Sequence, residues 1–88
     1  MKKILIVCGN GLGSSFIVEM NVKKIIEELN IDAEVSHTDL TSSKTETADL
    51  YLGSTDLVSS LDDGTRTVAG LKNLLDQNEI KEAILNNL

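Results

Sequence analysis

The spacing of apolar residues changes several times along these 88 residues. Residues 3–7 form a continuous, largely β-branched run, which predicts a strand buried on both faces. Over residues 14–29 the apolar positions recur every three or four residues, which predicts an amphipathic helix that ends at Asn30. The predicted inner face of this helix carries Val18, Val22, Ile25 and Leu29.

Further segments of regular structure follow this helix. Residues 33–38 alternate between apolar and polar side chains, which predicts a strand with one less buried face, at an edge of a sheet. Residues 39–47 are polar and predict a loop with room for one helical turn. The remaining predicted elements are a strand over 48–54, a short helix within 55–64 that is closed at Gly64, a strand over 65–71 and a last helix over 76–88.

The last predicted helix carries signals at its start and along one side. Asp76 and Glu79 have the spacing of a capping box, in which each side chain accepts a hydrogen bond from the backbone N–H of the other. Its apolar positions recur at helical spacing and predict the buried stripe. They are Ile80, Ala83, Ile84 and Leu88.

The order of these elements predicts an α/β fold. Strands that alternate with helices form parallel sheets with right-handed crossovers. We therefore expect a single domain over residues 1–88, built on a small open four-stranded parallel sheet with helices on both faces. Binding sites in such sheets lie beyond the carboxyl ends of the strands, and Cys8 comes directly after the first predicted strand.

Charge and composition argue against several kinds of protein. The net charge is −6 and the basic residues are scattered, whereas nucleic-acid binding needs clustered Lys and Arg. The apolar run after Lys2 and Lys3 is too short for a signal peptide, and no run approaches the roughly 18 residues that span a membrane. The single cysteine suits a reducing compartment, so we expect a soluble, cytoplasmic protein without membrane insertion. Asp62 and Asp63 before Gly64 predict a turn rather than a metal site, and we expect no metal or other cofactor.

Residues 8–15 combine a thiol with the features of an anion-binding loop. The glycines and serines of this segment are Gly9, Gly11, Gly13, Ser14 and Ser15. The glycines allow successive backbone N–H groups to surround an anion, and the following helix start adds unpaired N–H groups and a positive dipole end. Such surroundings lower the pKa of a thiol from its usual value of about 8.5. We therefore favour a nucleophilic Cys8 beside a phosphate-binding loop over an inert core cysteine.

Other glycine-rich loops fit this segment less well. The G-x-G-x-G spacing departs from the dinucleotide fingerprint, and Ser14 follows Gly13 where a Walker loop needs lysine. A low-molecular-weight cysteine phosphatase or an arsenate reductase is a closer alternative, but it needs an arginine six positions after the cysteine, where this chain has Ser14. Without that bidentate donor, hydrolysis loses a large electrostatic contribution. A domain that senses phosphorylation by binding is a third alternative, disfavoured by the short chain. The pattern favours a carrier of phosphoryl groups.

The chain resembles the IIB component of the bacterial phosphoenolpyruvate-dependent sugar phosphotransferase system, in its ascorbate type, which is related to the galactitol type. The resemblance rests on "ILIVCGNGLGSS" and the residues after it to position 40, and on "ADLYLGSTDL" and "VAGLKNLLDQNEI". It implies a Rossmann-like fold and a phosphotransferase in which Cys8 accepts a phosphoryl group from a phosphohistidine on the IIA protein. Cys8 would pass this group to a sugar, expected to be L-ascorbate, that the membrane IIC component imports. The phosphate-binding loop would be Gly9, Asn10, Gly11, Leu12, Gly13, Ser14 and Ser15, without a metal.

A few other residues are candidates for a role. His37, the one histidine, is expected to be a partly buried structural residue rather than a base or phosphoryl donor. Asp39 is expected in a turn, and Arg66, the one arginine, on the surface at a strand start, away from the phosphate. Leu12 and Phe16 are candidates for docking partners. For Phe16, core packing is an equally good interpretation, whereas Leu12 lies at a loop tip and is expected to face outward.

Overall fold

In the described part of the chain, the fold consists of four parallel strands and four helices. A computed structural model describes residues 2–8, 13–73 and 76–87. The strands are β1 (Lys2–Cys8), β2 (Ala33–Asp39), β3 (Leu50–Ser54) and β4 (Val68–Leu71). The helices are α1 (Gly13–Glu28), α2 (Leu40–Ser43), α3 (Thr55–Val58), which continues into a 3₁₀ turn at Ser59–Leu61, and α4 (Gln77–Asn87). The predicted α/β class and parallel sheet are confirmed.

The sheet has the strand order β2-β1-β3-β4, so β1 is flanked on both sides. Every side chain from Ile4 to Val7 is almost fully buried, because helices cover both faces of the sheet. Ile4 and Ile6 belong to a core with α1 and α4, whereas Leu5 and Val7 pack on the side of α3. The predictions of a fully buried first strand and of an edge position for β2 are both confirmed.

Helix α1 buries the predicted inner face and ends where the sequence indicates. Val18, Val22 and Ile25 are buried against the sheet, and Leu29 packs at the margin of this core. Asn30 adopts a φ of 55°, the left-handed conformation that asparagine tolerates better than most residues. The chain then closes the helix in a Schellman motif. The two bonds run from Asn30 N–H to the Glu27 carbonyl at 3.2 Å and from Ile31 N–H to the Ile26 carbonyl at 2.9 Å.

The segment before β4 differs from the prediction of a helix closed at Gly64. The regular turns end at Leu61, and Gly64 lies in a separate turn with a φ of 88°. Oδ1 of Asp63 organises this turn, since it accepts hydrogen bonds from Thr65 N–H at 3.0 Å and Thr65 Oγ1 at 2.6 Å. The turn predicted at Asp62 and Asp63 is therefore confirmed, but it connects to the strand instead of capping the helix.

The capping box predicted for α4 is half formed. Oδ1 of Asp76 accepts from Glu79 N–H at 3.3 Å, as expected. The Glu79 carboxylate instead accepts from Lys72 N–H at 2.7 Å and Asn73 N–H at 2.9 Å. The physical reason is that Asp76 N–H already donates to the Asn73 carbonyl at 3.1 Å. Glu79 thereby ties the start of α4 to the chain that leaves β4.

Two glycines allow α3 to lie close to the strands. A Cβ at Gly53 would stand 2.5 Å from the Val7 carbonyl oxygen and 2.8 Å from Cγ1 of Val58. A Cβ at Gly70 would stand 2.8 Å from the Thr55 Cα. Larger side chains at these positions would push α3 away from the carboxyl ends of the strands. Within the described ranges, no helix is long and apolar enough to cross a membrane.

Candidate functional site

Cys8 lies at the point where the strand order of the sheet reverses. It is the last residue of β1, and its backbone pairs with that of Asp39 at the end of β2. On the other side of β1, Gly53 of β3 pairs with Val7. The chain thus passes from β1 to β2 on one side, and after β2 it continues to β3 on the other side of β1. Open parallel sheets bind ligands beyond the carboxyl ends of their strands at such a switch point.

The predicted phosphate loop is described only in part. Gly9, Asn10, Gly11 and Leu12 lie outside the described residues. Gly13, Ser14 and Ser15 form the first turn of α1, and for these residues and Cys8 the description concerns the backbone. The assignment of residues 9–15 to a phosphate-binding loop stays a prediction, whereas the strand before it and the helix after it are where the sequence placed them.

The start of α1 offers an anion a positive environment. The first-turn N–H groups of a helix have no acceptor within the helix, and the helix dipole adds partial positive charge there. No acidic residue occupies the first turn of α1, and residues 8–18 carry no charged side chain at all. Glu19, six residues after Gly13, contacts His37 of β2, which lies only two residues before Asp39. The start of α1 therefore lies near the carboxyl ends of the strands, where Cys8 is also located.

Glu19 joins α1 to the edge strand. Its carboxylate is 12% exposed and lies 2.9 Å from Nζ of Lys23, while its second oxygen contacts Nδ1 of His37. Burial raises the pKa of Glu19, but hydrogen bonds and charge from Lys23 and His37 outweigh it, so this pKa lies below the usual 4.5. The expectation of a partly buried His37 is wrong, since its side chain is 48% exposed. Glu19 was not predicted as part of this region, although its i, i+4 spacing from Lys23 is a signal in the sequence.

Asp39 uses its side chain to start α2. Its Oδ1 accepts from Ser42 N–H at 3.2 Å, which confirms the predicted turn role. Hydrogen bonds from the side chain and backbone of Ser42 hold the pKa of Asp39 below its usual 3.8. The Asp39 carboxylate is therefore engaged at the start of α2, although Asp39 is the residue paired with Cys8 across the sheet.

Arg66 lies at the opposite end of the sheet from Cys8. It precedes β4, and the neighbouring Thr67 carbonyl accepts from the N–H of Tyr51 near the start of β3. Its guanidinium donates to Oδ2 of Asp63 at 2.7 Å and to the Lys44 carbonyl at 3.1 Å, 5.9 Å from the centre of the Tyr51 ring. The expectation of an exposed side chain is wrong, since these contacts half-bury Arg66. Its distance from the Cys8 end agrees with the expectation that it does not serve that site.

A shallow cavity of about 300 Å³ borders the same carboxyl edge. It is lined by Ser54, Thr55, Asp56, Leu71 and Lys72. Ser54 occupies the N-cap position of α3, where its hydroxyl makes no capping hydrogen bond within the described residues. Ser54 lies at the end of the strand predicted over 48–54, and its position after Gly53 makes it a further polar group near the end of β1.

The solvent side of α1 is apolar near its start. Phe16 is 60% exposed, Ile17 46% and Met20 57%. The alternative of core packing for Phe16 is therefore wrong, whereas Leu12 lies outside the described residues. The exposure of Ile17 and Met20 was not predicted, because apolar residues inside a helical pattern are usually assigned to the core.

Comparisons with known proteins agree on one family. The sequence model of the family described as the lactose/cellobiose-specific IIB subunit of the phosphotransferase system matches residues 3–86. The ascorbate-specific EIIB component of Mycoplasma pneumoniae is 34% identical over 84 residues, which cover 92% of this chain and 88% of that protein. The proteins of the same description in Salmonella typhimurium and Escherichia coli O157:H7 are each 37% identical over 76 residues, covering 83% of this chain and 75% of each relative.

Proposed function

Because this chain belongs to the IIB family of the sugar phosphotransferase system, we propose that Cys8 is the residue that carries the phosphoryl group. The observation that carries the proposal is the position of the one cysteine of the chain at the strand-order reversal of the sheet. Helix α1 begins five residues later and presents a positive end without a carboxylate. These features favour a thiolate and an anion bound next to it.

In the first proposed step, the Cys8 thiolate attacks the phosphorus of a phosphohistidine on the IIA protein. The S–P bond forms as the P–N bond breaks, and the histidine leaves with the bonding electron pair. The transferring group carries about two negative charges, so donors fixed around its oxygens stabilise the transition state. Backbone N–H groups of residues 9–15 would provide these donors, together with Ser14 and Ser15.

In the second proposed step, a hydroxyl oxygen of the sugar bound to the membrane IIC component attacks the phosphorus. The O–P bond forms, the S–P bond breaks, and the thiolate is restored, while the hydroxyl proton passes to a base at the acceptor. The descriptions of the relatives favour L-ascorbate as this sugar. The description of the family model names lactose and cellobiose, so the assignment of the sugar rests on the relatives.

Three residues support transfer over hydrolysis. Ser14 holds the position where a cysteine phosphatase needs arginine, and Arg66 is engaged at the other end of the sheet. The Asp39 carboxylate is engaged as well, because its Oδ1 accepts from Ser42 N–H at the start of α2. Without an arginine at position 14 to hold the phosphoryl group for attack by water, we expect a phosphocysteine to persist until an acceptor arrives. We further propose that residues 1–88 act as one cytoplasmic domain between IIA and IIC.

Intact-mass measurement tests the proposal directly. The protein is incubated with phosphoenolpyruvate, the general phosphotransferase proteins and an ascorbate-type IIA protein, and we expect one added phosphate. Prior phosphorylation should also block alkylation by iodoacetamide, which reports on Cys8 alone because the chain has a single cysteine. An adduct that survives in Cys8→Ala, or no adduct in the wild type, would contradict the proposal.

A phosphatase assay separates the alternative activity. We expect negligible sustained turnover of p-nitrophenyl phosphate, with at most one equivalent of product per chain. Continued turnover that disappears in Cys8→Ala would favour a cysteine phosphatase instead.

A further inference from the structure

Asp39 is the acidic residue that the sheet places directly beside Cys8. The backbones of the two residues pair in the parallel register of β1 and β2, and neighbouring strands lie about 4.8 Å apart. A phosphocysteine and an aspartate both have short side chains, so their charged groups are roughly 10 Å apart or less whichever rotamers they adopt. That distance is about one Debye length at 0.1 M salt, so the two charges interact.

The Asp39 carboxylate is ionised and unpaired. Its Oδ1 accepts a hydrogen bond from Ser42 N–H at 3.2 Å, and hydrogen bonds from the side chain and backbone of Ser42 hold the pKa of Asp39 below the usual 3.8. The residue is exposed, and no Lys, Arg or His among the described residues forms an ion pair with it. Asp39 therefore keeps an uncompensated negative charge at neutral pH.

The other charges near this edge of the sheet are balanced or lie farther from β1. The Glu19 carboxylate contacts an ammonium and an imidazole. The shallow cavity beyond β3 and β4 has one acidic and one basic lining residue, Asp56 and Lys72. The carboxylates at the start of α4 follow β4, which is separated from β1 by β3. Among the described residues, Asp39 is thus the unpaired acidic residue at the carboxyl end of a strand next to β1.

Repulsion by Asp39 acts in one direction on the phosphoryl group. Phosphorylation replaces a thiolate, with one negative charge, by a group with about two. A nearby carboxylate destabilises the larger charge more, so it disfavours the phosphorylated form of Cys8 relative to the free form. The phosphoryl group then passes to the next acceptor with a more favourable free energy.

We propose that Asp39 raises the phosphoryl-transfer potential of Cys8, because it keeps a negative charge beside the phosphocysteine. This inference rests on the proposed function of Cys8. Uptake from IIA becomes less favourable and delivery to the sugar more favourable by the same factor, since both steps share the phosphocysteine on which Asp39 acts. Asp39 exchanges no atom or proton in either step, and the bonds that form and break are those of phosphorus with nitrogen, sulfur and oxygen.

The equilibrium constant for transfer from IIA measures this effect. Phosphorylated IIA, freed of phosphoenolpyruvate, is mixed at low concentration with the protein in the absence of IIC, and intact mass gives the phosphorylated fraction of each. Asp39→Asn removes the charge but keeps an oxygen at the N-cap, where asparagine is about as favourable as aspartate. We expect the equilibrium constant to rise about two- to fivefold, as for one carboxylate at this distance in salt solution. In dilute mixtures this constant does not depend on how fast or how tightly the two proteins dock.

Asp49→Asn is the matched control. Asp49 is also exposed, and its Oδ2 accepts from Lys3 N–H at 2.7 Å, so each substitution neutralises an exposed carboxylate that binds a backbone N–H. Asp49 lies at the other end of β1, roughly 16 Å from Cys8 along the strand. The equilibrium constant of this variant should therefore stay within about 1.3-fold of the wild type, and the effect of Asp39→Asn should fall towards that range at 1 M salt.

Alkylation of the unphosphorylated protein gives an independent measurement. The same repulsion disfavours the Cys8 thiolate, so Asp39→Asn should move the midpoint of the rate of iodoacetamide alkylation down by about 0.3–0.7 pH unit. The melting temperature should change little. Asp39→Ser, which also keeps a capping oxygen, should reproduce the shifts in equilibrium constant and in alkylation.

The outcomes distinguish charge at Asp39 from other causes. If the wild type is phosphorylated and Asp39→Asn leaves the equilibrium constant unchanged, the inference is wrong while the proposed function stands. An equal rise in Asp49→Asn would assign the effect to the net charge of the chain, and a rise undiminished at 1 M salt would assign it to structure. Either result overturns the inference. If phosphorylated IIA does not phosphorylate the wild type, the inference and the proposed function both fail.

Discussion

Helices α1 and α4 pack on the same face of the sheet, and both begin at its carboxyl edge, yet their amino-terminal ends differ. At α4, Asp76 accepts from two N–H groups of the first turn, at 3.0 and 3.3 Å, and Glu79 is also in this turn. At α1, the first turn carries no acidic residue. The positive end of α4 is thus neutralised by Asp76 and Glu79, whereas the positive end of α1 has no carboxylate beside it in its first turn.

A carboxylate at the start of a helix has opposite effects on helix stability and on anion binding. A carboxylate at a helix start typically stabilises the helix by about 0.3–1 kcal/mol. Helix α4 has this stabilising interaction, and α1 lacks it. The same carboxylate would repel an incoming anion. The start of α4 is consequently a structural junction, while the start of α1 keeps the positive end that the proposed phosphoryl site requires.

The largest expected effect comes from giving α1 the acidic start of α4. Ser14→Asp places a carboxylate in the first turn of α1, where we expect phosphoryl transfer to Cys8 to slow by at least about tenfold. Two unit charges roughly 6 Å apart interact by about 3 kcal/mol at an effective dielectric of 20, and about 1.4 kcal/mol corresponds to a factor of ten. The rate of transfer from phosphorylated IIA measures this effect, and the melting temperature should stay equal or rise.

Two substitutions control for size and for charge alone. Ser14→Asn has a similar size without the charge, so the loss in Ser14→Asp beyond that in Ser14→Asn measures the electrostatic effect. Gln77→Glu adds the same charge to the first turn of α4 and should leave transfer within about twofold of the wild type, since its distance from Cys8 allows salt and water to screen it. Equal losses from Ser14→Asp and Gln77→Glu would contradict a special role for the start of α1.

The next effect concerns the junction at α4. Glu79→Ala removes the acceptor for Lys72 N–H and Asn73 N–H, and we expect the free energy of unfolding to fall by about 1–3 kcal/mol. The melting temperature should drop by about 5 °C or more, with little change in transfer by the folded protein. Glu82→Ala, at an exposed position of the same helix, is the matched control. A similar loss of stability in that variant would show that the hydrogen bonds of Glu79 are unimportant.

A smaller effect should appear as a pH dependence at Glu19. Its pKa is lower in the folded protein than the usual 4.5, so its contribution to stability is complete above that value and is lost as pH falls through the folded pKa. Glu19→Gln removes this contribution. The difference in unfolding free energy between wild type and variant, measured by urea denaturation, should therefore shrink between about pH 6 and pH 3. A difference that is independent of pH would exclude an ionised Glu19 as the stabilising partner of Lys23 and His37.

Local patterns made much of the fold predictable. The β-branched run at 3–7 and the three-to-four spacing over 14–29 indicated β1 and α1, because burial on two faces or on one stripe imposes those patterns. Asn30 ended α1 as expected from its tolerance of positive φ. Gly64 was misassigned because a glycine serves equally in a helix end and in a free turn.

The parts of the site that could not be predicted depend on contacts between distant segments. The pairing of Cys8 with Asp39 follows from strand register, and the contact of Glu19 with His37 joins residues 18 positions apart. Exposure of Phe16 and Met20 is also nonlocal, because an apolar helical residue is buried only if another element covers it. The chemistry proposed for Cys8 therefore rests on the family resemblance and on the sequence around Cys8, and these contacts do not specify it.

The smallest expected effect isolates charge at the start of α4. Asp76→Asn keeps an oxygen that can accept from Asn78 and Glu79 N–H but removes the negative charge, so we expect a loss of only about 0.3–1 kcal/mol. Asp76→Ala, which removes the acceptor too, should cost about 1 kcal/mol or more. Urea denaturation at low and high salt distinguishes the two contributions, since salt screens the charge at an exposed helix end. If the loss in Asp76→Asn persists undiminished at 1 M salt, hydrogen-bond geometry rather than charge distinguishes the start of α4 from that of α1.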